Sequence, residues 1–276
     1  MNAAKHLITP AIFAIAAIGL QTANAAELFP DQKPRPFALA DKLEADATMG
    51  GYPIWQGEGK WRIVELTRSD STGAAAPVPL GTARFFQSEG KQWVAAMEVR
   101  SNLQSGNGFW NGEPCKRDDM LFKLQLGAGR EDNCVTINHI TRYMSNPGGK
   151  AAELYALLKE QGVDIPPTVL LIQLTRNGLS QRMLHYYIWI NPELLGFARE
   201  TESEWGRNPW NKTMSFSDPA KKHFIDALTI WATKFVKQMD DGLKQKPDAF
   251  SQIPTWRGIA DGAPKAEIAK TKITLD

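Results

Sequence analysis

Residues 220–243 carry the pattern that most limits what this chain can fold into. Phe224, Leu228, Trp231, Phe235 and Met239 recur every three or four residues, and Ile225, Ala232 and Val236 widen the stripe. At 3.6 residues per turn, three aromatic rings and a band of aliphatic groups share one face of a long helix. A stripe that broad needs an extended apolar surface opposite it, and the face of a β-sheet supplies one. A cofactor or partner groove is the alternative reading. Ser217-Asp218-Pro219 reads as the N-terminal cap, and Gly242 with Lys244 and Lys246 suits the C-terminus.

The strands for that sheet lie upstream. Trp61 to Thr67 is the first. Gly81–Gln87 and Gln92–Arg100 flank a turn at Glu89-Gly90, a hairpin that would set Phe86 opposite Trp93. Met120–Leu126 and Cys134–Thr141 flank a glycine-containing turn. Thr168–Thr175 and Ser180–Ile190 flank Asn177-Gly178, the strongest two-residue turn signal in the chain. That turn predicts Gln173 opposite Arg182, Leu171 opposite Leu184 and Leu170 opposite His185. Between these strands, Asn146-Pro-Gly-Gly introduces a helix over 150–161, with Ala151, Leu154, Tyr155 and Leu158 on one face and Gly162 as its stop. A shorter helix is expected over Phe37–Ala45. The fold class that follows is α+β: a largely antiparallel sheet of several strands, one mid-chain helix, and the long C-terminal amphipathic helix packed on the sheet. Such a layout can enclose a cavity for a small apolar ligand between helix and sheet.

The first 25 residues have the form of a secretory signal: Lys5, an apolar run from Leu7 to Leu20, then Ala23-Asn24-Ala25 as a cleavage site. The run is shorter than the roughly 20 residues of an ordinary membrane span, although an uncleaved anchor is the alternative. The organisation expected is a signal peptide over 1–25, an extended N-terminal arm and loop over 26–60, a single α+β domain over 61–245, and a polar tail over 246–276. The mature protein should be soluble, without an integral membrane span, and periplasmic or secreted.

Export gives the only two cysteines a meaning. In an oxidising compartment Cys115 and Cys134 read as a disulfide. The bond competes with the simplest hairpin for 120–141, because a strand running away from the turn would carry Cys115 about 20 Å from Cys134, whereas bonded Cα atoms lie within about 7 Å. Residues 116–119 must double back for both to hold. Export favours the bond, so the simple hairpin is the weaker expectation.

Formal net charge is +2, which argues against a nucleic-acid partner. The sequence has no Gly-x-Ser-x-Gly elbow, phosphate-binding glycine loop, His-Glu-x-x-His or calcium loop. No cofactor is expected, and no metal, since His139, His185 and His223 have no ligand spacing. The catalytic candidates are His139, Asp118, Asp119 and Glu204 as acid–base groups. Against this, His139 and His185 sit on apolar strand patterns that suit the core, and Lys116-Arg117-Asp118-Asp119 suits a solvated turn. The ligand-binding candidates are Trp205, Arg207, Asn208, Trp210 and Asn211, which interleave indole rings with planar polar groups suited to sugars or peptide backbones; the alternative is a loop whose tryptophans plug the end of the sheet. These features favour an exported ligand-binding or accessory protein of the cell envelope, with an envelope glycan, a peptide or an apolar small molecule as partner. A hydrolase acting on envelope glycan or peptide, and a structural or assembly partner without a small ligand, are the alternatives.

Overall fold

The structure, a computed structural model, describes residues 25–71, 77–105, 113–126, 133–178, 182–246, 248–254 and 258. The expected signal sequence up to residue 24 and most of the expected tail lie outside the described residues. Two short strands, β1 (Thr48–Met49) and β2 (Tyr52–Pro53), form a small ribbon. Seven more form the main sheet: β3 (Arg62–Asp70), β4 (Pro79–Glu89), β5 (Gln92–Asn102), β6 (Phe122–Leu126), β7 (Asn133–Ile140), β8 (Val169–Gly178) and β9 (Arg182–Ile190). Every pairing is antiparallel, in the order β3-β4-β5-β9-β8-β7-β6. The helices are α1 (Gly149–Glu160), α2 (Lys212–Ser217) and α3 (Pro219–Leu243).

One face of the sheet is buried under α3. Phe224, Leu228, Trp231, Phe235 and Met239 are all buried, as the helical spacing predicts, against Ile137, Leu170, Ile172, Leu174, Tyr186 and Ile188. The carboxylate of Asp218 caps α3 by accepting from the Ala220 and Lys221 amides. The N-terminal arm joins the same core: Leu28, Phe29, Leu43, Met49, Ile54 and Trp55 are buried within it. Beyond α3, so do Ala249, Phe250 and Ile253. Rings occupy the space between helix and sheet where an apolar ligand was anticipated. Phe235 meets Trp55, Trp231, Tyr186 and Phe250 with ring centroids 5.1–5.3 Å apart.

Among the described residues, the opposite face is covered at one end, by α1 and by Leu39 and Ala40 of the N-terminal arm. There α1 sets Leu154 and Leu158 against Val64, Phe86, Trp93 and Val169.

Four local expectations change. No helix forms over 37–45; Ala40 takes a left-handed φ of 69°, and the Ala40 and Leu43 amides bond to the Ile63 and Trp61 carbonyls along the edge of β3. Satisfying backbone groups at that edge displaces the helix. In the first hairpin the turn is Gly90-Lys91, with Gly90 at φ 56°, and a bulge after Gln87 pairs Phe86 with Ala96 rather than Trp93. The second hairpin does not turn at Asn177-Gly178. Pairing continues to Gly178↔Arg182, so Gln173 faces Tyr187, Leu171 faces Trp189 and Thr175 faces His185. Finally, the disulfide and the β6–β7 hairpin coexist. The 3-10 turn Glu113–Lys116 lies against β7, the chain reverses before Phe122, and Cys115 and Cys134 are bonded with Cα atoms 5.7 Å apart.

Candidate functional site

The register of the second hairpin builds a surface that no single motif announces. Side chains alternate across a strand, so the pairings of β4, β5, β9, β8 and β7 align Arg84, Glu98, Tyr187, Gln173 and Thr136 in one row across the face opposite α3. Neighbouring rows hold Arg100, His185 and Thr175 on one side and Ala96, Trp189 and Leu171 on the other. Arg84, Arg100, Gln173, Tyr187 and Trp189 are half-buried; among the described helices only α1 lies over this face, at one end, where Ala96 and Trp189 pack against its apolar cluster.

The charges there are pre-arranged. Glu98 is 4 % exposed, and its two carboxylate oxygens accept from Arg84 Nε and Arg100 Nε; Arg84 also pairs with Glu65. Two guanidinium groups and two carboxylates leave no net formal charge. Only three of the ten guanidinium N–H groups are used in these pairs. The Arg100 guanidinium lies 5.0 Å from the centre of the Tyr187 ring, and Tyr187 and Trp189 stand nearly parallel with centroids 6.4 Å apart. Gln173 accepts from Thr136 Oγ1 through its amide oxygen, leaving its amide nitrogen for another acceptor. Burial pushes the Tyr187 phenol up, partly opposed by Arg100, so it remains protonated at neutral pH.

His185 underlies this surface. Its Nε2 donates to Asn177 Oδ1 at 3.1 Å, which assigns the tautomer from the acceptor. Burial and then the nearby Arg100 charge push its pKa down to about 3, so the ring is neutral.

The catalytic candidates gather at a different corner. His139 is fully buried, its Nε2 donates to the Trp205 carbonyl at 3.1 Å, and its ring stacks on the Trp205 indole at 4.7 Å. Burial lowers its pKa, with the Trp205 carbonyl and Asp119 opposing. Asp119 is paired with Arg117, Asp118 with Lys123 and Glu204 with Arg207. The hydrogen bond from Lys123 holds Asp118 below the usual carboxylate range, and the one from Arg117 does the same for Asp119. Carboxyls held ionised in this way are poor proton donors near neutrality. Among the described residues, no group of three or more His, Cys, Asp or Glu side chains is placed to hold a metal.

The ligand-binding candidates divide. Trp210 is fully buried, wedged against Phe197 and Phe224 under the Lys221 ammonium, which itself pairs with Glu200. Asn208 is fully buried and fixes the loop by donating to Thr168 Oγ1 and the Glu202 carbonyl while accepting from the Trp210 amide. Asn211 caps α2 by accepting from the Thr213 amide. Trp210 and Asn208 are thus enclosed by the protein, whereas Asn211 remains half-buried. Trp205 is half-buried on His139, and Arg207 is exposed.

Arg84, Glu98, Arg100, Gln173, Tyr187 and Trp189 escaped the sequence reading. The signal for them is alternation in β9: Leu184, Tyr186, Ile188 and Ile190 form the core set, while His185, Tyr187 and Trp189 form a set with polar handles. No family model, no curated protein and no solved structure matches this chain.

Proposed function

We propose that the protein is an exported ligand-binding or accessory protein of the cell envelope, and that it takes a glycan on the uncovered part of the sheet. The observation that carries this reading is the Arg100–Tyr187 pair, with Trp189 stacked beside Tyr187 at the margin of the α1 cluster, and the guanidinium N–H groups that the Glu98 and Glu65 pairs leave over. The solvated face of an antiparallel sheet is commonly polar; here it carries the Tyr187 ring under a guanidinium, with Trp189 stacked beside it. Sugar rings offer apolar C–H faces to aromatic groups and hydroxyl oxygens to the N–H groups of Arg84, Arg100 and Gln173 that bond to no described residue. The balanced charge of the Glu65–Arg84–Glu98–Arg100 network suits a neutral glycan. Export is supported by the signal-like N-terminus and by the Cys115–Cys134 bond.

The test is titration of the protein with soluble cell-wall oligosaccharides, followed by calorimetry. Binding should fall at least about tenfold in Trp189→Ala and in Arg100→Gln, in line with a loss of 1.4 kcal/mol or more, and should persist in Trp205→Ala. Binding that survives both sheet-face substitutions would sink the assignment.

A further inference from the structure

A second site lies at the opposite side of the molecule, where the N-terminal arm meets the segment after α3. A cleft of about 500 Å³ opens there, within the range of small-molecule sites. Its apolar wall is made by Ile54, Trp55, Phe250 and Ile253, all at least nine-tenths buried as residues. That wall is rigid. Trp55 is held edge-on by Trp231 and Phe235, Phe250 edge-on by Tyr186 and tilted against Phe235, and the Trp231 indole donates to the Pro254 carbonyl at 2.8 Å. Gly57 passes so close to Trp55 that a Cβ there would sit 2.6 Å from the indole, so the chain hugs the ring rather than covering it with a side chain.

The rim has the opposite character. Asp46 and Asp248 line it, with Gln56 and Ser251, and no lysine or arginine is among the lining residues. Asp46 makes no ion pair with any described residue, and both carboxylates are exposed. Lys246 is close enough to Asp248 for the two charges to interact, but its ammonium is engaged by Asp241 at 2.7 Å.

We infer that this cleft binds an amphipathic cation, an amine with an apolar body. The body replaces water against Trp55, Phe250 and Ile253, and the ammonium meets Asp46 and Asp248 at the mouth. An uncharged apolar ligand would leave the rim unused, and an anion would be repelled by both carboxylates. The site is independent of the sheet face, so either can fail without the other.

Three isosteric probes test it by calorimetry: 4-phenylbutylamine, 4-phenylbutanol and 4-phenylbutyrate. The amine should bind about tenfold more tightly than the alcohol, and the carboxylate should not bind measurably. Asp46→Asn and Asp248→Asn, both exposed and expected to melt like the parent, should each weaken the amine by about two- to fivefold, the range for a solvent-accessible ion pair. Ile253→Trp should fill the cleft and abolish binding of amine and alcohol alike. Equal binding of all three probes, no binding of the amine, or unchanged amine affinity in both Asn variants would each overturn the inference.

Discussion

Acidification should weaken the fold through His185, and the size of the loss follows from its surroundings. The ring is held neutral by burial and by Arg100, with a folded pKa of about 3 against an ordinary value of about 6.5. The folded value lies below the unfolded one. Between about pH 6.5 and pH 3 the unfolded chain therefore holds a proton that the folded chain does not, and stability falls as pH falls through that window. The full gap corresponds to at most about 5 kcal/mol, of which about 2 kcal/mol is lost between pH 7 and pH 5. His139, whose pKa is also lowered by burial, contributes with the same sign. The assay is urea unfolding at pH 7, 6 and 5 for the parent and for His185→Gln, which keeps a donor for Asn177. The variant should start less stable at pH 7 but lose about 2 kcal/mol less on the way to pH 5. Parallel pH curves for the two proteins would refute the argument, because they would mean that His185 takes up its proton without cost in the folded state.

Two further outcomes follow from the buried ties. Cys115→Ser, or reduction of the bond, should cost about 3 kcal/mol in unfolding experiments, since the bridge spans 19 positions; a change below about 1 kcal/mol would show that the 113–122 segment is held by its other contacts. Trp210→Ala should cost about 3–5 kcal/mol by leaving a cavity under Lys221, while leaving glycan binding by the folded fraction unchanged; loss of binding without loss of stability would return Trp210 to the list of ligand contacts.

The main layer arrangement was legible because it rests on long periodic patterns. The α3 stripe repeats often enough to outweigh local noise, and the glycine-containing turns bracket the strands that it packs on. The second hairpin was misread for a physical reason. Asn177 and Gly178 favour a tight turn, but in the folded chain the Asn177 side chain accepts from buried His185, and Gly178 still pairs with Arg182. Tertiary contacts outweighed the local preference. The pairing moved by an odd number of residues, which exchanges the two faces of a strand relative to its partner. His185 therefore joined Thr175 rather than Leu170, and the Gln173–Tyr187 row escaped notice. The tryptophan loop was half legible: its residue types suggested exposed rings, yet the burial of Trp210 depends on the chain folding back so that Phe224 and Lys221 of α3 meet the indole. The N-terminal arm was read as extended, but its share of the core was not, because Trp55 is buried by residues of α3.

The strand order has a kinetic meaning. β3, β4 and β5 close by short connections; β6, β7, β8 and β9 pair in chain order as well, with the α1 segment inserted between β7 and β8. Only the β5–β9 pairing joins these two meanders, and it links Val99 to Tyr186 across about 90 positions. Closing so long a loop is slow and entropically costly, which makes this seam a natural final step in folding. Arg84, Glu98 and Arg100 stand on one side of the seam; Gln173, His185, Tyr187 and Trp189 stand on the other. The proposed glycan surface thus comes into being only when the two halves zip together. A ligand lying across it would act as a clamp on that junction, and the amides of β5 and β9 are where its protection against hydrogen exchange should appear first.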